Sequence, residues 1–179
     1  MSDGRVTEGT GPADDGDGGP RLDGVRAAGL DRVRSDAAAH GVEVEIVARP
    51  AADSLEAAAG LLGIDPSSIV KSLVVKRHDG AFLFALVPGD RQISWPKLRA
   101  VVGVNRLSMP RPETALEATG YERGTITPIG SSTAWPVYAD DRIVGRRVAL
   151  GAGEHGYSAF VSADELLAGY DAIVADISD

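Results

Sequence analysis

Leu73-Val74-Val75-Lys76-Arg77-His78-Asp79-Gly80-Ala81-Phe82-Leu83-Phe84-Ala85-Leu86-Val87 is the stretch that decides the fold. Two apolar runs, rich in β-branched and aromatic side chains, flank Asp79-Gly80. That dipeptide is a strong hairpin turn signal, so the stretch predicts two antiparallel strands. Working outward, Val42–Ala48 alternates apolar and acidic residues and reads as a strand with one wet face. Ahead of it, a loose helical stripe from Leu22 to His40 stops at Gly41. Asp53 with Glu56 resembles a capping box for an Ala-rich helix to Leu62, stopped by Gly63, and Asp65-Pro66 opens a further turn.

Downstream, Ser94 caps a helix through Val101, and Pro110, Pro112 and Glu113 open another that ends at Gly120. Short strands follow near Val137–Ala139, Arg147–Leu150 and Tyr157–Val161. Ser162 with Glu165 forms a second capping box for a helix to Ala168, and Ile173–Ile177 closes the series. Hairpins with helices inserted between them indicate an α+β fold: a mixed, mostly antiparallel, barrel-like sheet with helices packed around it. The regular strand–helix–strand repeats of a parallel doubly wound sheet are missing. Residues 1–20 are Gly- and Asp-rich and nearly free of apolar side chains. They read as a disordered acidic tail ahead of one domain over 21–179.

The chain has 179 residues, no cysteine and a net charge of −8. Without cysteine there are no disulfides, no thiolate zinc site and no cysteine nucleophile. No apolar run reaches membrane-spanning length, and no basic-then-apolar leader opens the sequence, so a cytoplasmic protein is expected. The charge is unevenly spread. Residues 1–24 hold six acids and two bases, whereas residues 71–111 hold eight bases and two acids. A basic segment inside an acidic protein suits a local phosphate-binding face, or else scattered solvated charge.

Two segments carry the chemistry. Ile69-Val70-Lys71-Ser72-Leu73 places a lysine in an apolar run, where it either snorkels to solvent or points into a cleft. Gly124-Thr125-Ile126-Thr127-Pro128-Ile129-Gly130 is a loop with glycine at both ends and proline stiffening its middle. Such a loop can present backbone N–H groups to a carbonyl or developing oxyanion, or serve as an ordinary connection. Catalytic rivals lack their parts. There is no Gly-x-Ser-x-Gly elbow, and His40, His78 and His155 never fall at His-x-x-x-His spacing. No Gly-x-x-x-x-Gly-Lys-Ser/Thr phosphate loop is present.

In this order the segments resemble the YbaK family of aminoacyl-tRNA editing domains, which includes the insertion domain of bacterial prolyl-tRNA synthetases. The likeness covers roughly residues 42–177. It runs from the helix Ala57-Ala58-Ala59-Gly60-Leu61-Leu62-Gly63 through the Ile-x-Lys-Ser-Leu motif at Lys71, Gly120-Tyr121 and the Gly-x-x-x-Pro-x-Gly loop at Gly124–Gly130. Asp140-Asp141, a glycine turn and an acidic residue before Leu166 complete it. The resemblance implies a free-standing, metal-independent and cofactor-independent deacylase. It would hydrolyse the ester of mischarged tRNA, with Cys-tRNA(Pro) and Ala-tRNA(Pro) as model substrates. The alternative is a non-catalytic tRNA- or nucleotide-binding module of the same fold.

Expected partners are the 3′ end of a mischarged tRNA and a synthetase. By the same resemblance, Lys71 would contact the terminal adenosine phosphate or orient the ester. Gly124, Thr125, Thr127, Pro128, Ile129 and Gly130 would hold the carbonyl and ribose, and Gly151 and Asp164 would shape the pocket. Three positions depart from the family pattern: Gly151 stands where many relatives have serine, His155 where Arg or Lys is frequent, and Arg49 where a histidine is often seen.

Overall fold

The computed structural model describes residues 22–179. The acidic segment 1–20, read above as disordered, lies outside the described residues. Helix α1 (Leu22–Ala39) leads to strand β1 (Glu45–Ala48) and helix α2 (Leu55–Leu62). The central hairpin forms as the sequence predicts, with β2 (Val70–Arg77) antiparallel to β3 (Phe82–Pro88) and Lys71 opposite Val87. Helix α3 (Trp95–Val102), the two-residue strand β4 (Leu107–Ser108) and helix α4 (Pro112–Thr119) follow. After the glycine loop come β5 (Val137–Asp140), β6 (Arg147–Gly151), β7 (Tyr157–Ser162), α5 (Ala163–Gly169) and β8 (Ile173–Ala175).

The strands form two sheets rather than a barrel-like one. One has three strands in the order β1-β7-β6 and the other five in the order β4-β2-β3-β5-β8. Between them runs a single parallel bridge, Ile69–Ala149. A closed barrel needs a continuous ladder at that seam. Here β2 and β6 part beyond the bridge, and a cavity opens between them. The larger sheet is mixed, because β3–β5 and β5–β8 pair in parallel.

β3 explains why its sequence is apolar without alternation. Phe84 and Leu86 point into one core with Val70, Val74, Val148 and Leu166, while Leu83, Ala85 and Val87 point into a second with Val75 and Leu98. A strand covered on both faces buries every side chain. The first core lies between the two sheets and also receives Leu30, Val33 and Ala37 of α1. The second lies beneath α3.

Serine hydroxyls cap the starts of α2, α3 and α5, whereas α4 begins at Pro112 without a side-chain cap. Ser162 Oγ accepts the Glu165 N–H at 3.3 Å, but the Glu165 carboxylate reaches the Glu43 N–H at 2.9 Å instead of closing a box. At α2 the cap is Ser54, whose Oγ accepts the Ala57 N–H at 3.0 Å. The expected Asp53 cap is therefore displaced by one residue, a hydroxyl at 54 serving the same orphan donor.

Candidate functional site

The cavity between β2 and β6 has a volume of about 970 Å³. Among its lining residues three are cationic, Arg49, Lys71 and Arg123, against one carboxylate, Asp53. The excess of positive charge suits an anionic ligand.

A braced turn delivers Lys71. Asp65 Oδ1 accepts the Ser67 N–H at 2.9 Å, starting the short 3-10 turn Pro66–Ser68. Arg146 grips that turn from the neighbouring sheet, donating to the Ser67 carbonyl at 3.0 Å and to the Ser67 and Ser68 hydroxyls at 2.9 and 2.8 Å. The chain then enters β2, and Lys71 is half-buried in the cavity wall. Its ammonium donates to the Arg91 carbonyl. An ammonium has three N–H donors, so two remain for a ligand. Burial holds the Lys71 pKa below its ordinary value of 10.5, while Asp90 and Glu56 pull it back toward the charged form.

The glycine loop divides into two parts. Gly124 and Ile126 line the cavity. Their N–H groups meet no hydrogen-bond acceptor among the described residues. Gly124 has φ +91°. The rest of the loop turns inward. Thr125, Thr127, Pro128 and Ile129 are buried. Their hydroxyls serve the loop itself, Thr125 Oγ1 donating to the Glu122 carbonyl at 2.8 Å and Thr127 Oγ1 accepting the Ile129 N–H at 3.2 Å.

The far end is held by α1. Gly130 N–H donates to Asp36 Oδ2 at 2.7 Å, and the Gly130 carbonyl accepts from Arg32 at 2.6 Å. Arg32 also reaches the Thr119 and Gly120 carbonyls and lies over the Tyr121 ring at 4.5 Å. The Tyr121 hydroxyl donates to the Ile129 carbonyl at 2.8 Å, and burial pushes its pKa up to about 12. Tyr170 donates to the same Asp36 oxygen as Gly130, at 2.5 Å. Burial and that bond raise its pKa as well.

Gly151 also lines the cavity. A Cβ there would lie 2.3 Å from the Ile126 carbonyl oxygen and 2.7 Å from that of Thr125. A serine at 151 would therefore require the loop to sit farther from β6. The connector Gly151-Ala152-Gly153-Glu154-His155-Gly156 spells Gly-x-Gly-x-x-Gly, but it joins the antiparallel strands β6 and β7. A dinucleotide site needs that pattern between a strand and a helix. Asp164 is elsewhere: its Oδ1 accepts the Gly145 N–H at 2.8 Å in the first turn of α5. Asp140 is fully buried and ties the C-terminal segment, accepting from the Ser178 hydroxyl at 2.7 Å and the Ile177 N–H at 3.1 Å.

Of the residues singled out in the sequence, the structure thus brings Arg49, Lys71, Gly124, Ile126 and Gly151 to one cavity. It adds Arg123 and Ser158. Arg49 donates to Ser158 Oγ at 3.0 Å, so the side chain at this departure from the family pattern is fixed in the wall. Ser72 also contributes, with a buried hydroxyl that has no partner among the described residues. Arg123 was findable as the residue before Gly124. Ser158 was not, because a serine in a strand carries no signal of its own.

A family model for the aminoacyl-tRNA editing domain matches residues 49–168. A solved structure of a candidate trans-editing enzyme for prolyl tRNA synthetase superposes with a TM-score of 0.76 at 30% identity, covering 84% of this chain and 97% of that one. Proline–tRNA ligase of Thermosipho melanesiensis is 40% identical over 90 residues, 50% of this chain and 16% of the ligase. That of Shouchella clausii is 38% identical over 120 residues, 66% of this chain and 21% of the ligase. The chain thus spans about a fifth or less of the length of these ligases.

Proposed function

The chain belongs to the aminoacyl-tRNA editing domain family, as a hydrolase-type editing enzyme, and from that membership we propose that it clears mischarged tRNA in trans within a prolyl-tRNA synthetase system. Its substrates are the esters of a wrong small amino acid on the tRNA 3′ end, with Cys-tRNA(Pro) and Ala-tRNA(Pro) first among them. The observation that supports the reading is one cavity lined both by a half-buried lysine and by Gly124 and Ile126, whose amides have no acceptor among the described residues.

In this reading the terminal adenosine enters between β2 and β6. The two free N–H donors of Lys71 engage its phosphate or orient the ester. The amides of Gly124 and Ile126 receive the carbonyl oxygen as it gains negative charge. Water adds to the carbonyl carbon. The bond to the ribose oxygen then breaks, that oxygen takes up the proton, and free amino acid and tRNA leave. An aminoacyl ester is already activated, so positioning and oxyanion stabilisation supply most of what the reaction needs. Gly130 and the buried loop residues act by holding Gly124 and Ile126 in place. Asp164 supports the fold outside the cavity.

The test is a panel of tRNAs charged with cognate and non-cognate amino acids. Release of alanine or cysteine from tRNA(Pro) above the spontaneous rate is the expected result. Tight tRNA binding with no release from any member of the panel would overturn the deacylase reading.

A further inference from the structure

Helix α3 ends at a left-handed glycine, with the Gly103 and Val104 N–H groups both donating to the Arg99 carbonyl, at 2.9 and 3.1 Å. This cap folds the chain back so that Asn105 and Arg106 come beside Arg99. β4 then pairs Leu107 with Arg77 and Ser108 with Lys76. The result is a shallow basin of about 400 Å³ lined by Lys76, His78, Arg99 and Arg106, with Asn105 and Ser108 as neutral partners. No carboxylate lines it. Asp79, the acid next in sequence to His78, is turned away, accepting the Ala81 N–H at 3.0 Å and pairing with Arg77 at 3.4 Å.

Several cations elsewhere on the molecule are matched by carboxylates. Lys97 pairs with Asp176 and Asp179, Arg142 with Asp140 and Asp176, and Arg147 with Glu45. Among the described residues, Lys76, Arg99 and Arg106 have no such partner. In a chain of net charge −8, three unmatched cations and a histidine around one basin repel each other. An anion relieves that repulsion. The basin also adjoins the cavity: Ser108 lines the first and the next residue, Met109, lines the second.

We propose that this basin holds the sugar–phosphate backbone of the RNA whose aminoacylated end occupies the cavity. The proposal rests on the reading of the cavity given above and adds a second contact region to it. The exposed Lys76 and Arg106 and the half-buried Arg99 suit phosphates, which fix position and register without reading sequence. The basin therefore raises affinity for any tRNA, and selection among charged tRNAs is left to the cavity.

The experiment measures binding of uncharged tRNA by fluorescence anisotropy across a potassium chloride titration, for the wild type and for Lys76→Gln/Arg99→Gln/Arg106→Gln. Losing two or three phosphate contacts should flatten the slope of log Kd against log salt by about 2 to 3. Hydrolysis of an aminoacyl ester of adenosine, too small to reach the basin, should keep its kcat/KM, while KM for charged tRNA rises. Arg99 is half-buried, so the pair Lys76→Gln/Arg106→Gln, both exposed, guards against misfolding and should flatten the slope by about 1 to 2.

An unchanged slope in a folded variant overturns the basin, and capture of an acidic protein partner instead of tRNA does so equally. If the slope flattens but no ester is hydrolysed by any form, the basin stands and the deacylase reading fails. If esters are hydrolysed and the slope is unchanged, the basin alone fails.

Discussion

At Gly124 an added side chain would enter nearly open space, with the His155 ring at 3.7 Å as its nearest neighbour. At Gly130, six residues on, the same carbon would meet the Tyr121 hydroxyl at 2.6 Å and the Arg32 carbonyl oxygen at 2.8 Å. Both glycines have positive φ, +91° and +75°. Backbone freedom is therefore common to the two ends, and surroundings separate them. One end is left open toward the cavity, while the other is packed and hydrogen-bonded to α1. A loop that must offer its amides to a ligand cannot also spend them on the fold. Dividing the tasks along its length reconciles the two demands.

The strongest test of the open side is Lys71→Ala. Losing the group that positions the ester costs about 10² in rate, so kcat for charged tRNA should fall by that order while the melting temperature holds. Near-normal turnover by a folded Lys71→Ala would remove the lysine from the mechanism. The packed side is tested by Gly130→Ala. Left-handed strain together with overpacking should cost about 3 kcal/mol, read as a lower midpoint in urea unfolding.

Arg32→Ala removes three charge-assisted bonds to carbonyls and should cost about 2 kcal/mol, with deacylation reduced through displacement of the loop. Gly124→Ala should lose only the strain, about 1 to 2 kcal/mol, yet raise KM because a methyl group intrudes at the cavity. If Gly124→Ala destabilised the protein as much as Gly130→Ala, the contrast between the two ends would be void.

The smallest expected effect is on pH dependence. Burial lowers the Lys71 pKa in the folded protein, so its ammonium is lost at a pH below the ordinary lysine value of 10.5. Enzymatic deacylation, corrected for spontaneous ester hydrolysis, should decline in that alkaline range. Stability moves oppositely. Between the lowered pKa and 10.5 the unfolded chain binds more protons at this site, so the contribution of Lys71 to stability rises with pH. Lys71→Met should abolish both trends.

Much of this was legible from sequence because its determinants are local. Asp79-Gly80 and the apolar runs beside it specify the β2–β3 hairpin, and glycines at 63, 103 and 120 end α2, α3 and α4 in the left-handed conformation. The parallel pairings of β5 were not legible, since Val137–Asp140 carries no mark of which neighbour it joins. β4 has two residues, too few for any period. The open seam between β2 and β6, where a barrel-like sheet was expected, was not legible either, because strand patterns specify faces and not the partners at an edge. In the site, Lys71 stood out as a charge in an apolar run. The inward turn of Thr125–Ile129 depends on Asp36 and Arg32, nearly a hundred residues away, and no local pattern reports such a partner.

That remoteness sets an order on how the site is made. Arg32 and Asp36 leave the ribosome 98 and 94 residues before Gly130, and Tyr170, which shares Asp36, follows forty residues later. Helix α1 can form early, but it has nothing to grip until the loop has been synthesised, and the carboxylate is not fully engaged until α5 has docked. Contacts of such sequence separation are slow to form. The loop therefore cannot be fixed at its far end before these partners are made, so that a partly made chain carries the lysine without the amides that share its cavity.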